Sequence, residues 1–177
     1  IDFDTLSTLP RRHYVNGLVE ALKAGLIYDP QLFALFENGN IDDDLEKIIY
    51  RSLCMKKDVV EKDERESGLR KILNFGHTIG HAIEGYYHME EYLHGECVAM
   101  GMLYFIEDDE LRERTIRVLK QLNVPIDAPY DKEDVYQRLL ADKKAGHDGI
   151  TVVKVKTLGT AELETISYEE IKEMLKG

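Results

Sequence analysis

The sequence predicts a mainly α-helical fold: a multi-helix bundle that carries one small antiparallel β-hairpin near its C-terminus. Three observations support this fold class. Apolar residues recur at helical spacing over most of the chain. Residues 95–106 are apolar nearly all round, which is typical of a helix buried in the middle of a bundle. Beyond residue 150 the apolar residues alternate with the period of a β-strand.

The first half of the chain contains three predicted helices. In residues 10–28, five apolar residues share one helical face, and Pro10 suits a first turn. Residues 41–62 combine candidate capping carboxylates at 42–44 with a second amphipathic pattern. We expect a third helix over residues 68–88 in spite of its glycines, because its apolar residues also share one face.

The second half should begin with helices and end with a hairpin and one more helix. Gly159 lies where a tight turn is needed between two alternating segments. Ser167 and Glu170 form a capping box, which predicts a helix start. The other expected elements are helices over 95–106, 109–122 and 131–144 and strands over 150–156 and 160–166.

Composition excludes several classes of protein. A length of 177 residues suits one domain, so we treat residues 1–177 as a single unit. The 23 basic and 34 acidic residues give a net charge of −11, which argues against nucleic-acid binding. Cys54 and Cys97 form no C-x-x-C pair, and a reducing cytoplasm fits. No apolar run predicts a membrane span, and because the chain opens at Ile1 we expect that upstream residues were removed.

Lys56 falls inside the predicted apolar stripe of residues 41–62. One interpretation is a lysine that extends from the edge of the stripe into solvent. The other is a lysine that faces an anion, because a buried ammonium without a partner is unfavourable. A carboxylate or phosphate of a substrate would serve.

The predicted helix over 68–88 carries a polar arc opposite its apolar one. Arg70, Asn74, His77 and His81 are spaced 4, 3 and 4 apart, which keeps them within a sector about 60° wide. Gly76 and Gly80 lie on the opposite arc and would let another helix approach closely. Solvated helix faces are usually Lys and Glu, so we interpret this arc as functional.

Two histidines at i and i+4 are well placed to share a metal ion. The sequence HTIGH lacks the glutamate of a zinc protease, so a protease is not expected. His94 precedes the buried helix and could converge on the same site. Glu20 and Lys23, three apart, form either a weak surface ion pair or a partly buried pair in which Glu20 is a third metal ligand.

The segments KKDVVEKDERESGLRKILNFGHTIGHAIE and LHGECVAMGM closely resemble the signature region of the 3-dehydroquinate synthase family of sugar phosphate cyclases. The resemblance extends upstream through LPRRHYVNGLVEALKAGLI and downstream to LADKKAGHDGITVV. It implies a C-terminal helical metal- and substrate-binding domain. The N-terminal NAD-binding α/β domain of such enzymes would precede Ile1 and is absent from this chain.

By this resemblance the metal ligands are Glu20, His77 and His94, and His81 does not bind metal. That differs from the pairing of His77 with His81 that spacing alone suggests. The positions implied for substrate binding or proton transfer are Lys23, Lys56, Glu66, Arg70, Asn74, His81 and, in the DKK motif, Lys143 in preference to Lys144.

The resemblance also implies an activity, cofactors and partners. The activity is that of a lyase of the shikimate pathway of aromatic amino acid biosynthesis, which converts 3-deoxy-D-arabino-heptulosonate 7-phosphate to 3-dehydroquinate and phosphate. The cofactors are Zn²⁺ or Co²⁺ together with NAD, and the full-length enzyme is expected to be a homodimer. Alternatives are another cyclase such as 2-deoxy-scyllo-inosose synthase, or a non-catalytic metal-binding module.

Overall fold

The computed structural model describes residues 3–65, 68–142 and 149–176, and it confirms the predicted fold class of a helix bundle with a C-terminal hairpin. Two 3₁₀ helices accompany the regular elements. The elements in chain order are a 3₁₀ helix (Phe3–Thr8), α1 (Arg11–Ile27), α2 (Pro30–Asn38), α3 (Leu45–Lys62), a 3₁₀ helix (Leu69–Asn74), α4 (His77–Tyr86), α5 (His94–Leu103), α6 (Asp109–Gln121), α7 (Lys132–Asp142), β1 (Ile150–Thr157), β2 (Thr160–Ile166) and α8 (Tyr168–Lys176).

Helix α2 is not among the predicted elements, although its sequence carries strong start signals. The Asp29 carboxylate accepts hydrogen bonds from the backbone amides of Gln31 and Leu32, and a proline occupies the first helical position. Phe33 and Phe36 are buried on one face of this helix. The connection after α1 therefore contributes to the core instead of running over the surface.

The predicted helix over 68–88 is wrong as a single element. The chain forms the 3₁₀ helix Leu69–Asn74, breaks, and begins α4 at His77. At the break Gly76 has a φ of 78°, in the left-handed region, and a Cβ there would lie 2.7 Å from the Val98 carbonyl oxygen. The backbone can turn here because residue 76 has no side chain. The four polar residues of the predicted arc consequently lie on two elements.

Helix α5 lies at the centre of the bundle, as its all-round apolar sequence predicts: residues 95–102 are all buried. Its close contact with α4 depends on small residues on both helices. A Cβ at Gly80 would lie 3.0 Å from the Cys97 carbonyl oxygen, and one at Gly101 would collide with the Gly76 carbonyl oxygen. The predicted close approach of a second helix at Gly80 is thus confirmed.

The hairpin pairs β1 with β2 in antiparallel register, with Ile150 opposite Ile166 and Val153 opposite Leu163. Strand β1 also joins the segment after α5, where the Val155 amide donates to the Phe105 carbonyl at 2.9 Å. Ser167 Oγ accepts the Glu170 amide at 3.1 Å, which confirms a cap at the start of α8.

The structure bears on the predicted start of α3 and the predicted end of α7. Helix α3 does begin after Asp44, but the Asp44 side chain makes no capping hydrogen bond. The expected helix over 131–144 is described only to Asp142. Within the described residues, none of the helices is both long and apolar enough to cross a membrane.

Candidate metal centre and anion pocket

Three histidines converge where α4 meets α5. Candidate ligand atoms of His77, His81 and His94 all lie within 4.8 Å of one another. The His77 ring centroid is 5.1 Å from that of His81 and 5.2 Å from that of His94. His77 and His81 share a face of α4 because they are one turn apart, whereas His94 is brought in as the first residue of α5. The predicted convergence of His94 on the α4 histidines is confirmed.

Two of the three rings have a fixed orientation. Nδ1 of His77 lies 3.0 Å from the Phe75 carbonyl oxygen, and Nδ1 of His94 lies 3.2 Å from Glu84 Oε2. Both partners are acceptors, so each neutral ring carries its proton on Nδ1 and keeps the Nε2 lone pair free. His81 is exposed, and in the part of the chain that the structure describes its ring has no hydrogen-bond partner.

Glu20 and Lys23 lie beside this cluster on α1. Lys23 Nζ donates to Glu20 Oε2 at 2.7 Å, and the Lys23 side chain is only 5% exposed. Partial burial opposes ionisation of Glu20, but the Lys23 ammonium outweighs it and holds the pKa of Glu20 below its usual range; His77 and His94, when protonated, act in the same direction. This pair is therefore partly buried, and the surface-pair interpretation is wrong.

The pKa values of the basic groups are depressed here. Burial lowers the pKa of Lys23; Glu20 opposes this, and the nearby Lys56 ammonium lowers it further. Burial, followed by the charge of Lys23, lowers the pKa of His77 to about 4. His77 is therefore neutral near pH 7, which is the form that binds a metal ion.

A cavity of about 440 Å³ is lined by Glu20, Lys23 and Lys56 but by none of the three histidines. Glu20 and Lys23 connect it to the cluster, because their charges act on His77. Its remaining walls are mainly apolar side chains from α1, α3 and both 3₁₀ helices. Lys56 is exposed, which agrees with a lysine that extends from the stripe into solvent, and it lines the cavity beside the stripe residues Ile49 and Leu53. That it faces an anion stays a prediction. The buried stripe of α3 is narrower than the pattern suggests because the neighbouring face borders this cavity. Lys56 stands at the cavity wall, close enough to Lys23 for their charges to repel.

The other predicted site residues lie along the chain between α3 and α4. The Arg70 amide donates to Asp63 Oδ2 at 2.9 Å, and Arg70 Nη1 lies 3.4 Å from the Glu64 carbonyl oxygen. Asn74 is exposed at the end of the same 3₁₀ helix, which packs against α1, α3 and the hairpin. Among the described residues no hydrogen bond joins either side chain to the histidines. Glu66 and Lys143 lie outside the described residues.

A set of hydrogen bonds ties the start of α5 to α1 and is not among the sequence predictions. Arg12 donates Nε to Glu96 Oε1 at 2.8 Å and Nη2 to Glu96 Oε2 at 2.6 Å. Asn16 Oδ1 accepts the Gly95 amide at 2.6 Å. These bonds hold His94 against the helix that carries Glu20. The sequence feature that could have indicated these bonds is Glu96, an acidic residue in the first turn of α5.

The donor set fits a divalent transition metal. Imidazole nitrogens and a carboxylate are zinc ligands, and three protein ligands with an open position is the usual pattern of a catalytic zinc site. The oriented Nδ1 partners of His77 and His94 are the outer hydrogen bonds that metal-bound histidines require. The neighbouring cavity is lined by two lysines and one carboxylate. Because the carboxylate balances only one of the two positive charges, the cavity suits an anionic ligand.

Solved structures define the class of fold to which this arrangement belongs. A 2-epi-5-epi-valiolone synthase from Streptomyces hygroscopicus, solved with NAD⁺ and Zn²⁺ bound, matches at a TM-score of 0.82 and 24% identity, over 99% of this chain and 54% of that one. A 2-deoxy-scyllo-inosose synthase with carbaglucose-6-phosphate, NAD⁺ and Co²⁺ matches at 0.78 and 24%, over 96% and 53%. The fold is that of the sugar phosphate cyclases.

The family follows from sequence. A model described as 3-dehydroquinate synthase C-terminal matches residues 17–145, and the chain belongs to that family. The 3-dehydroquinate synthase of Thermoanaerobacter pseudethanolicus is 40% identical over 99% of this chain and 54% of its own length. That of Geobacter metallireducens is 42% identical over 90% and 48%. The chain spans about half the length of the curated relatives that it matches.

Proposed function

We propose that residues 1–177 form the C-terminal metal- and substrate-binding domain of a 3-dehydroquinate synthase. The reaction converts 3-deoxy-D-arabino-heptulosonate 7-phosphate to 3-dehydroquinate and phosphate in the shikimate pathway. The observation that carries this proposal is the histidine cluster beside a cavity with two lysines, in a chain of this family. The curated synthases are about 40% identical to the chain, whereas the solved structures of other cyclases are 24% identical.

The proposed metal ligands are Glu20, His77 and His94. His77 and His94 are favoured over His81 because their Nδ1 atoms are already engaged, which leaves Nε2 free. The Glu20 carboxylate is held beside both rings and stays ionised through Lys23. A zinc or cobalt ion held here would supply Lewis-acid polarisation of a substrate oxygen, and NAD, which we propose binds mainly to an upstream domain, would supply hydride transfer.

The remaining site residues bind and orient the substrate in this proposal. Lys23 and Lys56 lie on one cavity and give it a surplus of positive charge over Glu20, which suits a phosphate or carboxylate. Arg70 and Asn74 would complete the anion and hydroxyl contacts, with Glu66 and Lys143. His81 is exposed next to the cluster with a ring free of hydrogen bonds to described residues, so it is available to take up or release a proton.

We place the working enzyme in the cytoplasm as a homodimer that also contains the NAD-binding half. A chimera can test the activity: the N-terminal half of the Geobacter metallireducens synthase joined to this chain. With Zn²⁺ and NAD⁺ it should release phosphate from 3-deoxy-D-arabino-heptulosonate 7-phosphate but not from glucose 6-phosphate. A chimera that binds both cofactors and prefers glucose 6-phosphate would point to a different cyclase.

The ligand assignment has its own test on the 177-residue chain. Zinc affinity is measured by competition with a chromophoric chelator for the variants Glu20→Ala, His77→Ala, His81→Ala and His94→Ala. The Glu20→Ala, His77→Ala and His94→Ala variants should each weaken zinc binding by about 100-fold or more, since each removes one of three ligands. The His81→Ala variant serves as the matched control and should change affinity little. A large loss at His81 with none at Glu20 would replace the proposed set with three histidines.

A further inference from the structure

Glu84 is a largely buried carboxylate on the site face of α4. It follows His77 and His81 at helical positions i+7 and i+3, so the three side chains share one face. Its side chain is 15% exposed, and its Oε2 lies 3.2 Å from His94 Nδ1. Nδ1 and Nε2 lie on different edges of the imidazole ring, so this contact leaves the Nε2 edge of His94 uncovered by Glu84.

The partner of Glu84 distinguishes it from other buried carboxylates of this molecule. Glu37 is similarly buried, at 19% exposure, and receives two hydrogen bonds from the Arg114 guanidinium at 2.8 and 2.6 Å. Among the described residues, the Glu84 carboxylate has a hydrogen bond or ion pair with His94 alone. A single imidazole contact compensates a buried carboxylate less than the two guanidinium hydrogen bonds at Glu37 do. A cation on the other nitrogen of that ring would improve the compensation.

We propose that Glu84 is a positioning residue that accepts the Nδ1 proton of His94 and so holds the His94 ring with Nε2 free for a divalent metal ion. This inference rests on the proposed function, because it assigns Glu84 a task at the same metal site. A carboxylate on the outer nitrogen fixes the tautomer and orientation of the ring and makes its ligand nitrogen more basic. Glu84 acts through His94 and does not contact the metal.

The experiment measures zinc dissociation constants of the 177-residue chain by chelator competition and records the visible spectrum of the Co²⁺-loaded chain. Glu84→Ala should weaken zinc binding by about 10- to 100-fold, the effect usual for a lost outer hydrogen bond to a ligand histidine. Glu84→Gln should lose less, because an amide oxygen still accepts the Nδ1 proton without the negative charge. The Co²⁺ spectrum should shift in both variants, since the ligand field at His94 changes.

Two controls separate positioning from simple loss of stability. Glu37→Gln removes the negative charge of a similarly buried carboxylate that pairs with Arg114 and lies outside the histidine cluster. This variant should leave zinc affinity unchanged within about twofold. Adding Glu84→Ala to His94→Ala should also have little further effect, because Glu84 acts through that ring. If Glu84→Ala fails to fold by far-ultraviolet circular dichroism, the Glu84→Gln variant decides the result.

Equal zinc affinities of the wild type and the folded Glu84 variants would overturn this inference and leave the proposed function standing. A Glu84→Ala loss of the same size with and without His94 would overturn it too. A wild-type chain that binds neither zinc nor cobalt would overturn the proposed metal site and this inference together.

Discussion

Two buried lysines lie in two regions of the molecule and have opposite electrostatic surroundings. Lys23, in the site region of α1, α4 and α5, has one carboxylate partner and a second lysine nearby, and its pKa is lowered. Lys154, in the hairpin region, is 10% exposed and has Glu107, Glu164 and Glu170 within 3.1, 2.9 and 3.9 Å. Burial opposes its charge, but the Glu164 and Glu107 carboxylates outweigh burial and raise the pKa of Lys154.

The contrast shows that burial of a charged group does not by itself mark a functional site. Lys154 is fully neutralised by its own chain, so it joins β1 to β2, to α8 and to the segment after α5. Lys23 pairs with Glu20, and Lys56 lines the same cavity near Lys23, which leaves positive charge for a ligand to neutralise. An excess of charge of one sign at the wall of a cavity is the better indicator of binding.

The largest effect is expected from breaking the backbone contact that holds the site region together. Gly101→Ala would place a Cβ against the Gly76 carbonyl oxygen, so α4 and α5 must separate. We expect it to lower the free energy of unfolding by about 3 kcal/mol in urea denaturation. Gly17→Ala is the control: a Cβ there meets no atom within 4 Å, and alanine should stabilise α1 by up to about 1 kcal/mol. Equal effects of the two variants would contradict the close packing.

In the hairpin region, Lys154→Met should leave three carboxylates without their shared cation. We expect a loss of about 2 kcal/mol in the free energy of unfolding, less than for a fully buried pair because the carboxylates are partly exposed. The control is Lys156→Met on the same strand, whose side chain is 48% exposed and pairs with Glu162; it should change stability by less than about 0.5 kcal/mol. A stable Lys154→Met variant would show that the carboxylates need no counter-charge.

The raised pKa of Lys154 predicts a loss of stability at alkaline pH. A lysine whose pKa is higher in the folded than in the unfolded chain contributes fully below the unfolded value, and the contribution disappears as pH rises through the folded value. The stability gap between wild type and Lys154→Met should therefore narrow as pH rises above 10.5. Urea denaturation of both proteins over this range measures the gap, and a gap that widens would reverse the sign of the argument.

Of the two buried lysines, Lys23 is the more buried and is expected to have the smaller effect on stability. Lys23→Met removes one hydrogen bond to Glu20 but also removes the desolvation of the ammonium and its repulsion by Lys56. The free energy of unfolding should change by less than about 1 kcal/mol. Binding of inorganic phosphate, followed by calorimetry, should fall instead. A stability loss as large as that of Lys154→Met would remove the distinction between the two regions.

The elements that could be predicted are those whose signals are local. Helices α1, α3, α5 and α6 and the hairpin lie close to their predicted bounds because apolar periodicity and turn residues act within a few neighbours. Helix α2 carried such signals at Asp29 and Pro30 and could have been found from them. The metal cluster was partly predictable, since His77 and His81 lie one turn apart and His94 begins a buried helix.

Other features could not be read from local pattern. Lys56 fits an apolar stripe by periodicity, but the face on which it lies borders a cavity. The break before His77 depends on Gly76 meeting Val98 and Met102 of α5, which lie more than twenty positions later. The proposed role of Glu84 could not be predicted from local sequence, because its partner His94 lies on another helix.

By itself the sequence determined the fold class, the available ligands and the two histidines on one turn, since these rest on composition and on interactions between near neighbours. Only the tertiary structure decided that α4 begins at His77, that His94 completes the cluster, and that Lys154 has three carboxylates around it while Lys23 has one carboxylate and a second lysine. Each of these depends on contacts between residues far apart in the chain, whose electrostatic energy is set by distance and burial.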